Sequence, residues 1–180
     1  MKKLGFSLIS LFALFAVSCA APRTRASGSD LGTPRQYQGP PPSEQLQLLI
    51  DVPEGWLHLQ KGPSTTPGDL DNLVINEKLQ VLIKVGLLPA AIGSPIKIAT
   101  DFAAGVQKSG AQVSEITSAE DDNQASFIVT TVSGRVGKVT IRILPENPRF
   151  ILIFAGHWPA EANALVLPIF DAMAASTKLK

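Results

Sequence analysis

Apolar and polar positions alternate along most of the chain in short runs, and the period of each run names an element. Between Leu46 and Val52 the apolar Leu46, Leu48 and Ile50 fall on every second position, which predicts a strand. Pro53-Glu54-Gly55 is turn chemistry, proline presetting its own φ and glycine admitting a positive one. Trp56-Leu57-His58-Leu59 then predicts a short second strand, and residues 63–72, Pro-Ser-Thr-Thr-Pro-Gly-Asp-Leu-Asp-Asn, read as a loop. Leu79, Val81, Ile83 and Val85 alternate with Gln80 and Lys84 and predict a longer strand. The period then changes. Ser94 is a candidate N-cap, and Pro95 stands at the first helical position, where a missing N–H costs nothing. Ala99, Phe102, Ala103 and Val106 recur at helical spacing, and Gly110 closes the helix as a C′ glycine.

A strand over about Gln112 to Thr117 and the acidic loop Glu120-Asp121-Asp122-Asn123 come next. Three strands follow: Ser126 to Val132, Lys138 to Leu144 with Val139, Ile141 and Ile143 on one face, and the almost wholly apolar Arg149 to Gly156, which reads as central. Gly134 and Gly137 flank the first connection and Pro145-Glu146-Asn147-Pro148 makes the second. Two short connections in succession imply an antiparallel meander. A last helix runs from about Ala160 to Ser176, with Val166, Ile169, Phe170 and Met173 spaced for one apolar face; Pro168 is expected to kink it or mark its true start. Strands, helix, strands, helix is the order of a single α+β domain, an antiparallel sheet covered by helices.

The first residues break this pattern. Met1-Lys2-Lys3 precede Leu4 to Val17, an uncharged run of about 14 residues, the format of a secretory signal. A transmembrane helix needs roughly 20 apolar residues; this run is shorter and ends at Pro22, Arg23 and Arg25, so an uncleaved anchor fits poorly. Two cleavage readings stand: an ordinary cut after Ala20, and a cut before Cys19, the one cysteine of the chain. Val17-Ser18-Cys19 resembles the bacterial lipobox, although Ala16 stands where leucine is usual. The resemblance implies that Cys19 takes a diacylglycerol thioether and an acylated amino group, with palmitate-type chains. A single odd cysteine in an exported chain must pair with another chain, stay free or be modified. Stable anchoring needs more than one acyl chain, which a triacylated Cys19 supplies. Ala20 follows the cysteine where an aspartate does not, a pattern resembling that of lipoproteins sent to the outer membrane, here on its periplasmic face.

The expected organisation is therefore a signal peptide over 1–18, a lipidated Cys19 and flexible tether over 19–43, and an α+β domain over 44–180. The tether is rich in Pro, Gly, Ser and Thr and too poor in large apolar residues to offset the entropy of ordering. Its Arg23, Arg25 and Arg35 either touch anionic headgroups or are simply solvated. Without the signal, Lys+Arg falls from 16 to 14 against 15 Asp+Glu, close to −1, which is no footprint for nucleic acid.

Asp51-Val52-Pro53-Glu54-Gly55-Trp56 resembles the Pro-x-Gly-Trp corner that opens domains of the PsbP-like and DcrB-like group. The element order and the closing Phe170…Ser176…Lys180 segment are similar as well. Two departures stand out: Ile50-Asp51-Val52 replaces the usual aromatic before the corner, and Thr177 the aromatic after the closing serine. The resemblance implies a sandwich-like domain without a shared catalytic motif, an envelope module that docks on other proteins.

Candidate chemistry is sparse. There is no nucleophile elbow, phosphate loop or dinucleotide fingerprint. His58 and His157 lack the spacing of a zinc pair, and the acidic run at 120–122 lacks the calcium-loop spacing. No cofactor and no metal are expected. Trp56 and Trp158, with His157, form a candidate docking or ligand surface if they flank one end of the sheet. The leading expectation is a non-enzymatic lipoprotein of the bacterial cell envelope, held to the membrane by its lipid and in contact with another envelope protein. A carrier of a small apolar ligand, a lipid or a cell-wall fragment, requires an enclosed cavity between helices and sheet. An envelope hydrolase requires a nucleophile, a base and an orienting group, and no candidate trio appears.

Overall fold

The computed structural model describes residues 46–60 and 72–180, which lie within one compact unit, Glu44–Lys180. The expected signal, Cys19, the expected tether and most of the loop after the second strand lie outside the described residues. Ten strands and two α-helices are described. The strands are β1 (Leu48–Leu49), β2 (Leu57–Leu59), β3 (Asn72–Asn76), β4 (Val81–Pro89), β5 (Gln112–Val113), β6 (Thr117–Ser118), β7 (Gln124–Thr130), β8 (Arg135–Leu144), β9 (Asn147–Pro159) and β10 (Lys178–Leu179); the helices are α1 (Pro95–Lys108) and α2 (Asn163–Ser176). Eight strands form one antiparallel sheet in the order β2-β3-β4-β9-β8-β7-β5, with β6 also on β7. β7, β8 and β9 make the meander, and β9 is central. β1 and β10 pair separately, so the start of the domain lies against its end, Gln47 and Lys180 exchanging two backbone hydrogen bonds of 3.0 and 2.8 Å. The fold is α+β.

Alternation along the strands assigns the helices to opposite faces. Phe154 pairs with Thr140, and its ring meets Phe170 of α2 edge-on at 4.9 Å. Phe127 pairs with Val139, one position out of phase, and its ring lies 6.1 Å from Phe102 of α1. The α2 face holds the larger core: Val74, Val81, Ile83, Val85, Leu87, Leu152, Phe154 and Trp158 from the sheet, and Val166, Phe170 and Met173 from the helix. Each large side chain buried there contributes about 1.5–3 kcal/mol. Gly156 admits this packing, because a Cβ there would stand 2.8 Å from Ile83 and 3.1 Å from Phe170.

The helix ends follow the local chemistry. Ser94 Oγ accepts from the Lys97 amide at 3.4 Å, Pro95 opens α1, and Gly110 beyond its end adopts a φ of +87°. Pro168 neither starts nor ends α2: a short 3-10 turn, Ala160–Ala162, precedes the helix, and Pro168 lies inside it. At the other end of α2, Arg142 on β8 reaches across the face. Its Nε donates to the Ala174 carbonyl at 3.1 Å and its Nη2 to those of Ala175 and Thr177. Burial holds this guanidinium below its usual range while Glu146 acts the other way. Glu146 in turn accepts from the Leu179 amide at 2.9 Å, so one cation and one carboxylate fasten β10.

Three sequence expectations change. Residues 72–76 form β3, a strand where the sequence suggests the end of a loop, and the following strand begins at Val81, with Leu79 and Gln80 in the turn. The strand expected over Gln112 to Thr117 is two short strands, β5 and β6. β9 takes in Asn147 and Pro148, read from the sequence as part of a turn, and continues to Pro159.

Candidate functional site

Trp56, His157 and Trp158 are a candidate surface on the condition that they flank one end of the sheet. Trp158 is fully buried on the α2 face: its ring lies 5.6 Å from Phe170 and its Nε1 donates to Asn163 Oδ1 at 3.0 Å. That bond satisfies the one polar group of the indole, so the residue serves the core and offers nothing to solvent. Trp56, half-buried before β2, packs against the same core. His157 is the neighbour of Trp158 on β9 and therefore points to the other face. The end of the sheet is shared, but the three side chains do not make one surface.

What His157 does meet is Arg135, near the start of β8, whose Nε donates to His157 Nδ1 at 3.0 Å and whose Nη2 donates to the Gln80 carbonyl. Gln80, at φ +51°, ends the turn between β3 and β4. The arginine thus links three strands at one rim. Desolvation, and then the Arg135 charge, push His157 down to about 4. The imidazole is neutral near pH 7, with Nδ1 accepting and its proton on Nε2. Burial lowers Arg135 as well, against the pull of Glu161. Nothing in the sequence marks Arg135, which stands in a glycine-flanked hairpin; only the β8–β9 register, with Gly137 opposite His157, brings it within reach.

His58 lies on β2, its Nε2 3.2 Å from Oδ1 of the fully buried Asn72, and the strand registers put it on the opposite face of the sheet from His157. In the acidic loop Asp121 takes both an amide and a side-chain hydrogen bond from Asn123, and these lower its pKa. Among the described residues no group of three His, Cys, Asp or Glu side chains is placed to hold a metal ion, and no helix is long and apolar enough to cross a membrane. An open groove of about 350 Å³ lies beyond α1, lined by Gly110, Gln112, Thr130, Thr131, Val132 and Gly134, none of them charged.

The remaining candidate surface is apolar. On β2, Leu57 pairs with Ile75 and Leu59 with Leu73, so all four share the α1 face of the sheet. Leu57 is 52% exposed and Leu59 48%, on the outermost strand of the order. The opposite edge carries Gln112 and Val113 of β5 and Thr117 and Ser118 of β6.

No protein-family model matches the chain, and no curated protein matches it. Among solved structures it is similar to cyanobacterial PsbP (CyanoP) from Synechocystis sp. PCC 6803, at 14% identity and a TM-score of 0.47 over 87% of this chain and 99% of that one. It is also similar to LpqN of Mycobacterium tuberculosis, described as involved in cell envelope biogenesis, at 15% identity and a TM-score of 0.49 over 75% of this chain and 84% of that one.

Proposed function

We propose that this protein is a lipid-anchored module of the bacterial cell envelope whose domain works by docking on protein rather than by catalysis. Export is supported by Lys2, Lys3 and the uncharged run that follows, and anchoring by Val17-Ser18-Cys19. After processing, residues 19–43 act as the tether and the domain begins near Glu44.

The observation that carries the docking reading is the contrast between a filled interior and two half-exposed leucines on the strand that ends the described sheet order. Between α2 and the sheet stand Trp158, Phe154, Phe170 and Val166, all fully buried, and between α1 and the sheet Phe102 meets Phe127. An apolar ligand carried between those layers would have to displace these side chains. Meanwhile two leucines on an outer strand remain about half exposed. As for hydrolysis, Ser133 Oγ pairs with Thr131 Oγ1 at 2.9 Å in the hairpin and His157 is engaged by Arg135, so the two do not act as nucleophile and base.

The test is a photo-crosslinking residue placed at Leu57 in the full chain in living cells, with Val132, 82% exposed on the β7–β8 hairpin, as the control position. A discrete protein adduct from Leu57 and none from Val132 is the expected result. Lipid captured at both positions, with no protein adduct, would support the carrier and overturn the docking reading.

A further inference from the structure

The two helices lie on opposite faces of one sheet, and their outer sides differ. α1 turns Lys97, Thr100, Asp101, Gln107 and Lys108 to solvent, the ordinary polar back of a helix packed on one face. α2 buries Val166, Phe170, Met173 and Ala174, yet Ala164, Leu165, Pro168, Ala172 and Ala175 are exposed on its outer side along with Asp171. Asp171 is its one charged residue, and Lys138 Nζ neutralises it at 2.7 Å. Leu165, Pro168 and Ala172 stand at i, i+3 and i+7 on one stripe, with Leu165 55% exposed. A helix that is apolar on both sides belongs in covered surroundings.

The β1–β10 ribbon extends the same outer side. Leu48 and Leu179 pack inward against the α2 core, so Leu49 and Lys178, opposite each other in the pair, point outward. Leu49 is 44% exposed. The chain also enters the domain here: Leu46 is buried in that core, and Gln47 exchanges hydrogen bonds with Lys180. A coil of the length proposed for the tether, residues 19–43, spans roughly 25–30 Å. A compact unit the size of Glu44–Lys180 has a diameter of about 35–40 Å. The side at which the chain enters is therefore the side held nearest the anchor.

We infer that the α2 layer, the helix together with the β1–β10 ribbon, rests on the bilayer that holds the anchor. A lipid surface is the occupant that the tether keeps beside this face, at an effective concentration no free partner has. Leu49 and Leu165 reach past the headgroups, and Lys178 lays its stem along apolar surface with its ammonium at headgroup level. The α1 face, with Leu57 and Leu59, is turned away from the membrane, where another protein meets it. The inference rests on the anchored module proposed above.

Fluorescence quenching tests it on the full lipidated chain in vesicles of phosphatidylethanolamine and phosphatidylglycerol. Leu165→Cys, Leu49→Cys and, on the outer side of α1, Thr100→Cys each carry an environment-sensitive dye, the sulfur of Cys19 being occupied by its acyl group. The two test positions are exposed and lie on separate elements, so each measurement stands without the other. Lipid spin-labelled high on its acyl chain should quench the dye at Leu165→Cys and Leu49→Cys several-fold more than at Thr100→Cys. Equal quenching at all three positions, in a chain that floats with the vesicles, overturns the inference and leaves the anchor standing. A blue-shifted dye at Leu165→Cys that lipid does not quench means that protein covers α2, and overturns it too. A chain that does not float with the vesicles overturns the anchor and the inference together.

Discussion

His157 is the residue where burial and chemistry meet most sharply. Its side chain is largely removed from water beside a cation, and both circumstances oppose a second proton. Its folded-state pKa of about 4 lies below the ordinary 6.5, so the unfolded chain binds the extra proton more readily. The stability this residue supports is therefore present above about pH 6.5 and is lost as the pH falls towards 4. Replacing His157 with glutamine should flatten that window, the difference between the two proteins in urea unfolding shrinking by roughly 2 kcal/mol from pH 7 to pH 4. Parallel pH profiles for the two proteins would contradict the assignment. Trp158, one residue on, has the opposite fate, and alternation alone carries that information: two neighbours on a strand cannot share a face. Residue type alone suggests a joint surface, and the pleat of the strand separates the two neighbours.

Among the elements, those with a clean period were the legible ones. Ser94 and Pro95, the 99-102-103-106 spacing and Gly110 place α1 almost to the residue, and alternation through β7, β8 and β9 places the meander. β3 was not legible, for a definite reason. Its buried positions are Asn72, Val74 and Asn76, while the apolar Leu73 and Ile75 are only half-buried, so two asparagines take core positions and two apolar residues do not. Asn72 is satisfied by His58, and Asn76 Oδ1 accepts from the Leu79 amide at 3.0 Å; neither partner is visible in the local sequence. β10 was hidden too, because two residues have no period. What defines it is Arg142, a charged group that answers the carbonyls left open at the end of α2. Arg142→Leu should cost about 1.5–3 kcal/mol, the usual scale for charge-assisted hydrogen bonds. The same change should speed hydrogen exchange at the Leu179 and Lys180 amides while leaving Ala99 to Val106 protected. Unchanged exchange at those two amides would mean that Glu146 and the pairing with β1 hold the C-terminal strand without Arg142.

At the scale of the whole molecule, the fold class was readable because element order and short connections constrain topology strongly. The site was not, because Arg135 and His157 are 22 residues apart and Leu57 and Leu59 become a surface only once β2 is seen to be the outer strand. The chain leading back towards Cys19 joins the domain where Gln47 meets Lys180, so both ends of the domain lie together.

The central claim is that this chain is anchored through Cys19, and metabolic labelling with a fatty-acid analogue, followed by membrane fractionation, tests it most directly. The native chain should be labelled and sediment with membranes, and Cys19→Ala should lose the label and leave the membrane fraction; a Cys19→Ala chain that stays labelled and membrane-bound would contradict the account.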